Sequence, residues 1–505
     1  MFIYKKRNAS GSVTVQILHK CNGKKHIIKT IGTSKDFEEI ECFFKQAQEI
    51  LPTLFNQLTL FTQQEDYRIK FLSSLNNDDI KVCGPYLVFG RIFSFLKFDK
   101  IPDSLFRDLV ISRITHPGSK LQLSEFLQKT GKQSLSVDSI YRFLDKLTNR
   151  YKEEVETISF AHTKKLLGGH IGAVFYDMTT IYFESSKPDE LRLTGFSKEG
   201  KHQHPQIYLG LLVGSNGYPI GYDIFEGNIY EGHTLIPMIE AFEKRFKLDK
   251  PVIVADSGLL SKSNIEALES KGYTFILGAR IKNESKDMIS KIETLVIDNG
   301  QVIEFKKQKG LRLIISYSDK RAKKDRINRE RGLRRLEKNL NAGRLTKSNI
   351  NNRGYNKYLR MEGDVNISID YEKFNNDQKW DGLKGYITNT ELSSDEIINH
   401  YNNLWKIEKA FRISKTDLKI RPIYHRLRDR IEAHICISFV SYVLYKELER
   451  TLKTNNSKIS ITKAIEEIKK MYEVDFIDNN MQKVTIQLKN NPIQQEIIDI
   501  ITLEF

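Results

Sequence analysis

The chain has 505 residues, too many for one compact core, so two to four domains are expected. Hydrophobic residues make up 40% and aromatics 10%, as in a folded globular protein, and four scattered cysteines without a C-x-x-C pair argue against a zinc site or a disulfide framework and fit a reducing cytoplasm. The balance is basic, 80 Lys and Arg against 64 Asp and Glu for a net charge of +16; nucleic acid is the usual partner of such an excess, although a basic protein without a polyanionic partner has the same sum.

The start, MFIYKKRNASGS, has no apolar core of signal-peptide length, and the longest apolar stretch near the C-terminus, Ile435 to Tyr445, is too short to span a bilayer. A soluble, cytoplasmic protein with no membrane partner is expected. Ser12 to Leu18 and Lys25 to Ile31 are β-rich runs around a turn at Asn22-Gly23, which predicts a hairpin. A helical pattern follows from about Phe37 to Phe61, with a break at Pro52. From Pro85 to Leu166 the sequence stays helical, broken at Pro102 and at His116-Pro117-Gly118. Within it, Leu121–Thr130 and Ser136–Leu147 are joined by Gly131-Lys132-Gln133. That is the outline of a helix-turn-helix, with Ser136, Ser139, Tyr141 and Arg142 near the start of its second helix. Helical pairs of this size are also abundant in proteins that bind no DNA.

At Gly172 the texture changes. Ala173–Glu184, Gln206–Val213 and Pro219–Phe225 read as successive strands. A helix at Leu235–Phe246, a buried strand at Val252–Ala255, a helix near Lys262–Ser270 and a strand at Tyr273–Leu277 follow, which predicts a mixed sheet with helices on its faces. From about Val296 to Ile387 the pattern is strand-rich again (VIEF, LRLIISYS, VNISIDY, LKGYITN), wrapped around a helix at Lys320–Leu340 that is basic around most of its surface. Between Lys320 and Arg360 stand fifteen Lys or Arg and three acids. Like charges at i,i+4 destabilise a helix, so this density exceeds what a solvated face needs. Lys323, Lys324, Arg326, Arg334 and Arg335 are therefore candidates for an arm contacting DNA phosphates. Ser394–Lys415 and Arg428–Leu448 read as two long helices, and a smaller mixed region closes the chain.

Three carboxylates are the candidates for chemistry, although Glu408 by itself is one of many helix glutamates. Asp177 sits mid-strand between Tyr176 and Met178, where a charge is costly unless a metal or hydrogen bonds compensate it. Asp256 ends the strand VIVAD, where parallel sheets place their ligands. Glu408 belongs to a stripe, Tyr401, Trp405, Glu408, Arg412 and Lys415, spaced to share one helix face. A carboxylate completing a metal site with cations beside it explains that stripe, as does a surface ladder of ion pairs. Taken singly, Asp256 also suits an N-cap and Asp177 an edge strand. Glu184 and Glu226 are the rival acids, His202 and His204 read as solvated loop residues, and no G-x-x-x-x-G-K-[ST] loop suggests ATP.

Together these residues resemble the DDE transposases of bacterial insertion sequences, and among them the branch with a β-rich insertion and a Y-x2-R-x3-E-x6-K signature. Tyr401, Glu408 and Lys415 match that signature, while Leu404 stands at its Arg position; Lys406 or Arg412 are the available substitutes. The stretches YDMTTIYFE, FEGNIYEGHTL, VIVADSGLLSKSNI, GYTFILGAR and KTDLKIRPIYHRLRDRIEAHI also look like this family. The resemblance implies an α/β, ribonuclease H-like mixed sheet with flanking helices, interrupted by a β-rich insertion and preceded by a hairpin and a helical DNA-binding region. The corresponding segments are 1–84 (hairpin and helix), 85–168 (helical), 169–295 (core, first part), 296–390 (insertion with the basic helix), 391–450 (core, second part) and 451–505 (C-terminal region). It implies that Asp177, Asp256 and Glu408 hold two Mg²⁺ ions, with Mn²⁺ as a substitute. Tyr401 and Lys415 are implied to hold DNA phosphates, with Trp405 and Arg412 on the same stripe and Arg421 and His425 as further DNA contacts. The implied function is cut-and-paste transposition: cleavage at terminal inverted repeats and strand transfer into target DNA by a synaptic homodimer. A nuclease that cleaves without joining and a catalytically inactive DNA-binding relative are the alternatives.

Overall fold

The first ladder is one strand longer than a hairpin. In the computed structural model β1 (Phe2–Arg7), β2 (Val13–Cys21) and β3 (Lys24–Ser34) form an antiparallel sheet with β2 in the middle. Val15 and Ile17 of β2 are buried with Ile40 and Ala47 of helix α1 (37–51), which gives this sheet its own small core. The structure describes residues 1–21, 23–51, 54, 75–130, 135–184, 187–197, 200–247, 249–351, 354–362, 366–477 and 482–505. Asn22 of the expected turn, Pro52 and 55–61 of the helical pattern, and the Gly131-Lys132-Gln133 joint lie outside the described residues. Two units divide the chain: Met1–Lys81 with Glu473–Ile486, and Val82–Tyr472 with Gln487–Phe505.

After β4 (Ile80–Val82), the second unit opens with α2 (Gly84–Phe95), α3 (Ser104–Thr115), α4 (Lys120–Lys129), α5 (Val137–Lys146) and α6 (Lys152–Leu166). The breaks fall where Pro and capping residues require them. Asp103, after Pro102, accepts from the Leu105 N–H, and Ser119, after His116-Pro117-Gly118, caps α4 through the Gln122 N–H. Phe89, Phe106 and Phe143 of these helices enter the same core as Phe175 and Val254 of the sheet.

That sheet has eight strands: β5 (Ala173–Tyr182), β6 (Gln206–Gly214), β7 (Pro219–Glu226), β8 (Val252–Ala255), β9 (Phe275–Ala279), β10 (Val302–Lys306), β11 (Arg312–Tyr317) and, after a short ladder of β12 (Leu359–Glu362) with β13 (Asn366–Ile369), β14 (Leu383–Thr388). Its order is β10-β11-β14-β9-β8-β5-β6-β7. The run β5-β6-β7 is an antiparallel meander, β5, β8 and β9 are parallel, and β14, β11 and β10 continue antiparallel from β9. Helices α7 (Leu235–Phe246) and α8 (Lys262–Ser270) are the crossovers that parallel strands need. Two more helices, α9 (Lys286–Glu293) and the basic α10 (Asp319–Asn341), precede the short α11 (Tyr371–Asn376).

Three of the four strand runs read between 296 and 387 therefore extend the main sheet, and VNISIDY supplies β13, which pairs only with the short β12. Alternation marks a strand but does not name its neighbour, and β14 finds its partner in β9, more than a hundred residues earlier. The helix read as continuous from Ser394 to Lys415 is also two helices, α12 (Ser394–Asn402) and α13 (Trp405–Thr416). At the break the backbone tightens into three-residue spans, with Asn403 N donating to His400 O and Leu404 N to Tyr401 O, both at 3.0 Å. Asn402 and Asn403 are residues whose side chains compete with helical backbone bonds. The long α14 (Arg428–Thr454) is buried along most of its length. The chain closes with α15 (Ile461–Ile468), β15 (Tyr472–Ile477), β16 (Lys483–Gln487) and α16 (Pro492–Glu504); β16, β15 and β4 form a three-stranded sheet. No helix among the described residues is long and apolar enough to cross a membrane.

Candidate active site

Strand register brings the two aspartates together. Tyr176 of β5 pairs with Ala255 of β8, and Ala255 pairs with Leu277 of β9. The next position is Asp177 on β5 and Gly278 on β9, and Asp256 follows the last residue of β8, so the row continues just past the end of that strand. Tyr386 of β14 pairs with Gly278 and continues the row. Residues of one row share a face of the sheet, and Lys384, two positions before Tyr386, points the same way. Helix α12 packs on β8 and β9, and α13 on β5 and β6. Asp177, Asp256 and Glu408 line a single cavity of about 350 Å³ with Arg321, Lys384, Tyr401 and Trp405.

Hydrogen bonds fix two of the acids. The Asp177 Oδ1 accepts from the Met178 N–H at 2.8 Å. Asp256 opens a 3₁₀ turn at Ser257–Leu259 but makes no capping bond; its Oδ1 accepts from the Tyr401 hydroxyl at 2.8 Å. Tyr401 is 5% exposed, and burial together with the Asp256 carboxylate pushes its pKa well above the usual phenol value. The approach requires a glycine at 278, since a Cβ there would stand 2.4 Å from the Tyr401 Oη. Lys384 Nζ lies 4.2 Å from the centre of the Tyr401 ring. Burial and the Arg321 charge lower the Lys384 pKa, while Asp256 and Glu408 pull it back up, so this ammonium feels both carboxylates.

Arg321 and Lys384 are the cations that sequence reading missed. Arg321 comes from the first turn of α10, where the surrounding basic residues hide it. Lys384 carries a signal that could have been read, a charge in the otherwise apolar-rich strand LKGYIT. They matter because Leu404, in place of the signature Arg, is buried and lines the cavity without a charge. Of the two substitutes, Lys406 donates its Nζ to the Ser215 carbonyl, and Arg412 is exposed outside the cavity.

The other expected contacts separate. Trp405 is 54% exposed and lines the carboxylate cavity, whereas Lys415 is partly buried and does not. The break at Asn403–Leu404 puts Tyr401 on a different helix from Trp405, Glu408, Arg412 and Lys415. The stripe is thus not one continuous face, and Tyr401 turns inward to Asp256. Arg421 and His425 line a different cavity, with Arg113 and Lys120. Lys323, Lys324, Arg326, Arg334 and Arg335 are all exposed on α10. That helix is not basic all round: Arg329 is buried with its Nη2 2.7 Å from Asp381 Oδ2, and Gly332 and Leu336 are buried beside it. Glu184 and Glu226 are exposed and outside the carboxylate cavity. In the polar loop, the Ser197 N–H donates to His202 Nδ1 at 3.2 Å and His204 Nδ1 donates to the Phe183 carbonyl at 3.3 Å, so both rings organise the loop.

The donor chemistry suits a hard divalent cation. Among the described residues no three His, Cys, Asp or Glu groups are clustered closely enough to hold one metal ion as they stand. Magnesium does not need such a cage, because it keeps several waters and is held by one or two carboxylates plus substrate phosphate. Asp177, Asp256 and Glu408, which line one cavity, offer carboxylate oxygens of that kind.

Residues 169–444, more than half of the chain, match the family model described as Transposase DDE domain. No curated protein matches the sequence. Among solved structures, the piggyBac transposase synaptic complex with hairpin DNA is similar at 10% identity over 75% of this chain and 70% of that one, with a TM-score of 0.38. The Mos1 transposase paired-end complex with left transposon end is similar at 13% identity over 31% of this chain and 53% of that one, with a TM-score of 0.16. A Mos1 mariner paired end complex with Mn is similar at 13% identity, 31% and 54% coverage, and a TM-score of 0.15. Since the matched segment makes up most of the chain and contains all three carboxylates, the protein belongs to the Transposase DDE domain family and is a DDE-type DNA transposase.

Proposed function

We propose that Asp177, Asp256 and Glu408 are the catalytic carboxylates and that they hold two divalent cations, magnesium by preference and manganese as a substitute. The observation that carries this reading is the cavity itself: two aspartates that follow the last paired positions of neighbouring parallel strands, a glutamate from α13, and the cations Arg321 and Lys384 in the same lining. Divalent cations held by Asp177, Asp256 and Glu408 would supply Lewis acidity for attack on a phosphodiester and for the charge of the leaving oxygen. The protein's own groups do the positioning. Lys384 and Arg321 take the non-bridging oxygens of the scissile phosphate, replacing the Arg that Leu404 lacks. Tyr401 holds one oxygen of Asp256 and leaves the other for metal. Trp405 presents an open ring on which a base can stack. Arg412 and Lys415, further along α13, and the exposed cations of α10 hold the DNA backbone on either side.

The strand order β7-β6-β5-β8-β9, an antiparallel meander followed by two parallel strands, supports a ribonuclease H-like core. We place the segments at 1–84, 85–168, 169–295, 296–390, 391–450 and 451–505. The reading extends to a cut-and-paste enzyme of the bacterial insertion-sequence branch, working on the nucleoid in the cytoplasm. Its substrates are terminal inverted repeats and target DNA, and its active form is a homodimer that pairs two ends. The test incubates the purified chain with Mg²⁺ and duplexes carrying the DNA that flanks its reading frame. Cleavage and joined products are expected, with Asp177→Asn, Asp256→Asn and Glu408→Gln each abolishing cleavage while a gel shift persists. Full activity in any one variant removes that residue from the site. Cleavage without joining makes the protein a nuclease, and a gel shift without chemistry makes it an inactive relative.

A further inference from the structure

A second cavity, of about 370 Å³, shares no lining residue with the carboxylate cavity. It lies where the end of α3, the start of α4 and the segment after α13 meet α14. Its basic lining residues are Arg113, Lys120, Lys419, Arg421, His425 and His434, two tyrosines (Tyr141 and Tyr424) stand beside them, and among the described residues no carboxylate lines it. Arg113 is 7% exposed. Its Nη1 donates to the Lys419 carbonyl at 3.5 Å, and its Nη2 faces His434 Nδ1 at 3.4 Å. His434 donates its Nε2–H to the Ile420 carbonyl at 2.9 Å, which fixes the neutral tautomer and leaves Nδ1 as the acceptor toward Arg113. Asp145, the acid whose charge acts on His425, is already held by Arg430 through bonds of 2.7 and 2.9 Å. The buried guanidinium is thus oriented by neutral acceptors.

Burial of like charges is costly, and this cluster shows the strain. Burial, and then the charge of Arg113, pushes Lys120 down to about 7, and burial pushes Arg113 down to about 10. Burial, Lys120 and Arg113 hold His425 down to about 3, so it is neutral at physiological pH. An anion in the cavity favours the charged forms of these groups and so offsets both their burial and their mutual repulsion. Lys120 also begins α4, a ten-residue helix whose first N–H groups favour an anion. Tyr424, 72% exposed, lines the same cavity, and so open an aromatic suits the sugar and base of a nucleotide better than a bare inorganic ion.

We propose that this cavity binds a backbone phosphate of DNA, as an anchor separate from the reaction centre. The proposal rests on the protein being a DNA transposase and is independent of which carboxylates hold metal. Its test is fluorescence anisotropy of the full chain on a labelled duplex across a salt series, comparing wild type with Lys120→Gln/Lys419→Gln. Leaving one phosphate without its cation lowers the slope of log affinity against log salt by about 0.9. Lys262→Gln, an exposed charge outside both cavities, leaves the slope unchanged. Wild-type binding with an equally steep slope in the double variant overturns the anchor, whereas a wild type that binds no duplex overturns the DNA reading itself. Inorganic phosphate titrated against thermal unfolding separates the sources. If it stabilises the wild type but not the double variant while the DNA slopes coincide, the site takes a free anion and the proposal fails. Should the double variant not fold, Lys419→Gln alone, altering an exposed side chain, is expected to lower the slope by the same criterion.

Discussion

Gly278→Ala tests the geometry of the carboxylate site without touching a carboxylate. The added methyl would stand 2.4 Å from the Tyr401 Oη, 3.1 Å from its Cζ and 2.9 Å from the Ser257 nitrogen. The hydroxyl must leave, and with it the bond to Asp256. A hydrogen bond to a charged group contributes about 1.5–3 kcal/mol, and overpacking of a tight interior costs about 1–3 kcal/mol more. The variant is therefore expected to lose about 4 kcal/mol of unfolding free energy. Tyr401→Phe, which deletes the hydroxyl and keeps the ring, loses about 2 kcal/mol. In Gly278→Ala/Tyr401→Phe the hydroxyl that clashed is already gone, and the 2.9 Å approach to Ser257 remains. The double variant is therefore less damaged than the sum of the singles, with a coupling of about 1–2 kcal/mol. Urea unfolding followed by tryptophan fluorescence reads this directly, because both tryptophans, Trp380 and Trp405, lie in the second unit. Strictly additive single effects, or a Gly278→Ala midpoint equal to wild type, would refute the contact between Tyr401 and this glycine.

Three further outcomes are expected. Replacing Lys323, Lys324, Arg326, Arg334 and Arg335 with Gln weakens duplex binding and lowers its salt slope by about 0.9 for each phosphate no longer neutralised; an unchanged slope means that the helix is merely solvated. Asp381→Ala leaves the buried Arg329 guanidinium unpaired and costs about 3–5 kcal/mol in urea unfolding, while Arg329→Met/Asp381→Leu costs much less. Equal losses in those two variants would contradict the pairing. Glu447 gives a pH dependence. Burial alone would raise its pKa, but hydrogen bonds from His162, Arg450 and Tyr218 outweigh it and hold the carboxyl at about 2. Because the folded pKa lies below the unfolded one, the contribution, about 3 kcal/mol, is complete above pH 4.5 and is lost as pH falls toward 2. Glu447→Gln flattens that part of the stability profile; an identical profile in the variant rules the group out.

Local chemistry was legible from the residues alone. A carboxylate inside AVFYDMTTIY and another ending VIVAD stood out because charge on an apolar strand needs a reason. The basic density of α10 and the proline-marked helix ends were equally plain. Glu408 became a candidate through its spacing from Tyr401 and Lys415 and through resemblance, since a helix glutamate has no distinguishing mark of its own. What tertiary structure decided was adjacency. A period-2 pattern fixes which residues share a face but not which strand lies alongside, so β14 beside β9 could not be read, nor could Lys384 and Arg321 beside Asp256 and Glu408. Nor did helical spacing reveal that Asn402 and Asn403 break the stripe and turn Tyr401 onto Asp256. Secondary-structure patterns depend on near neighbours along the chain, whereas a site assembled from β5, β8, β14, α10 and α13 depends on pairings between segments up to 231 residues apart, which only packing of the whole sheet selects.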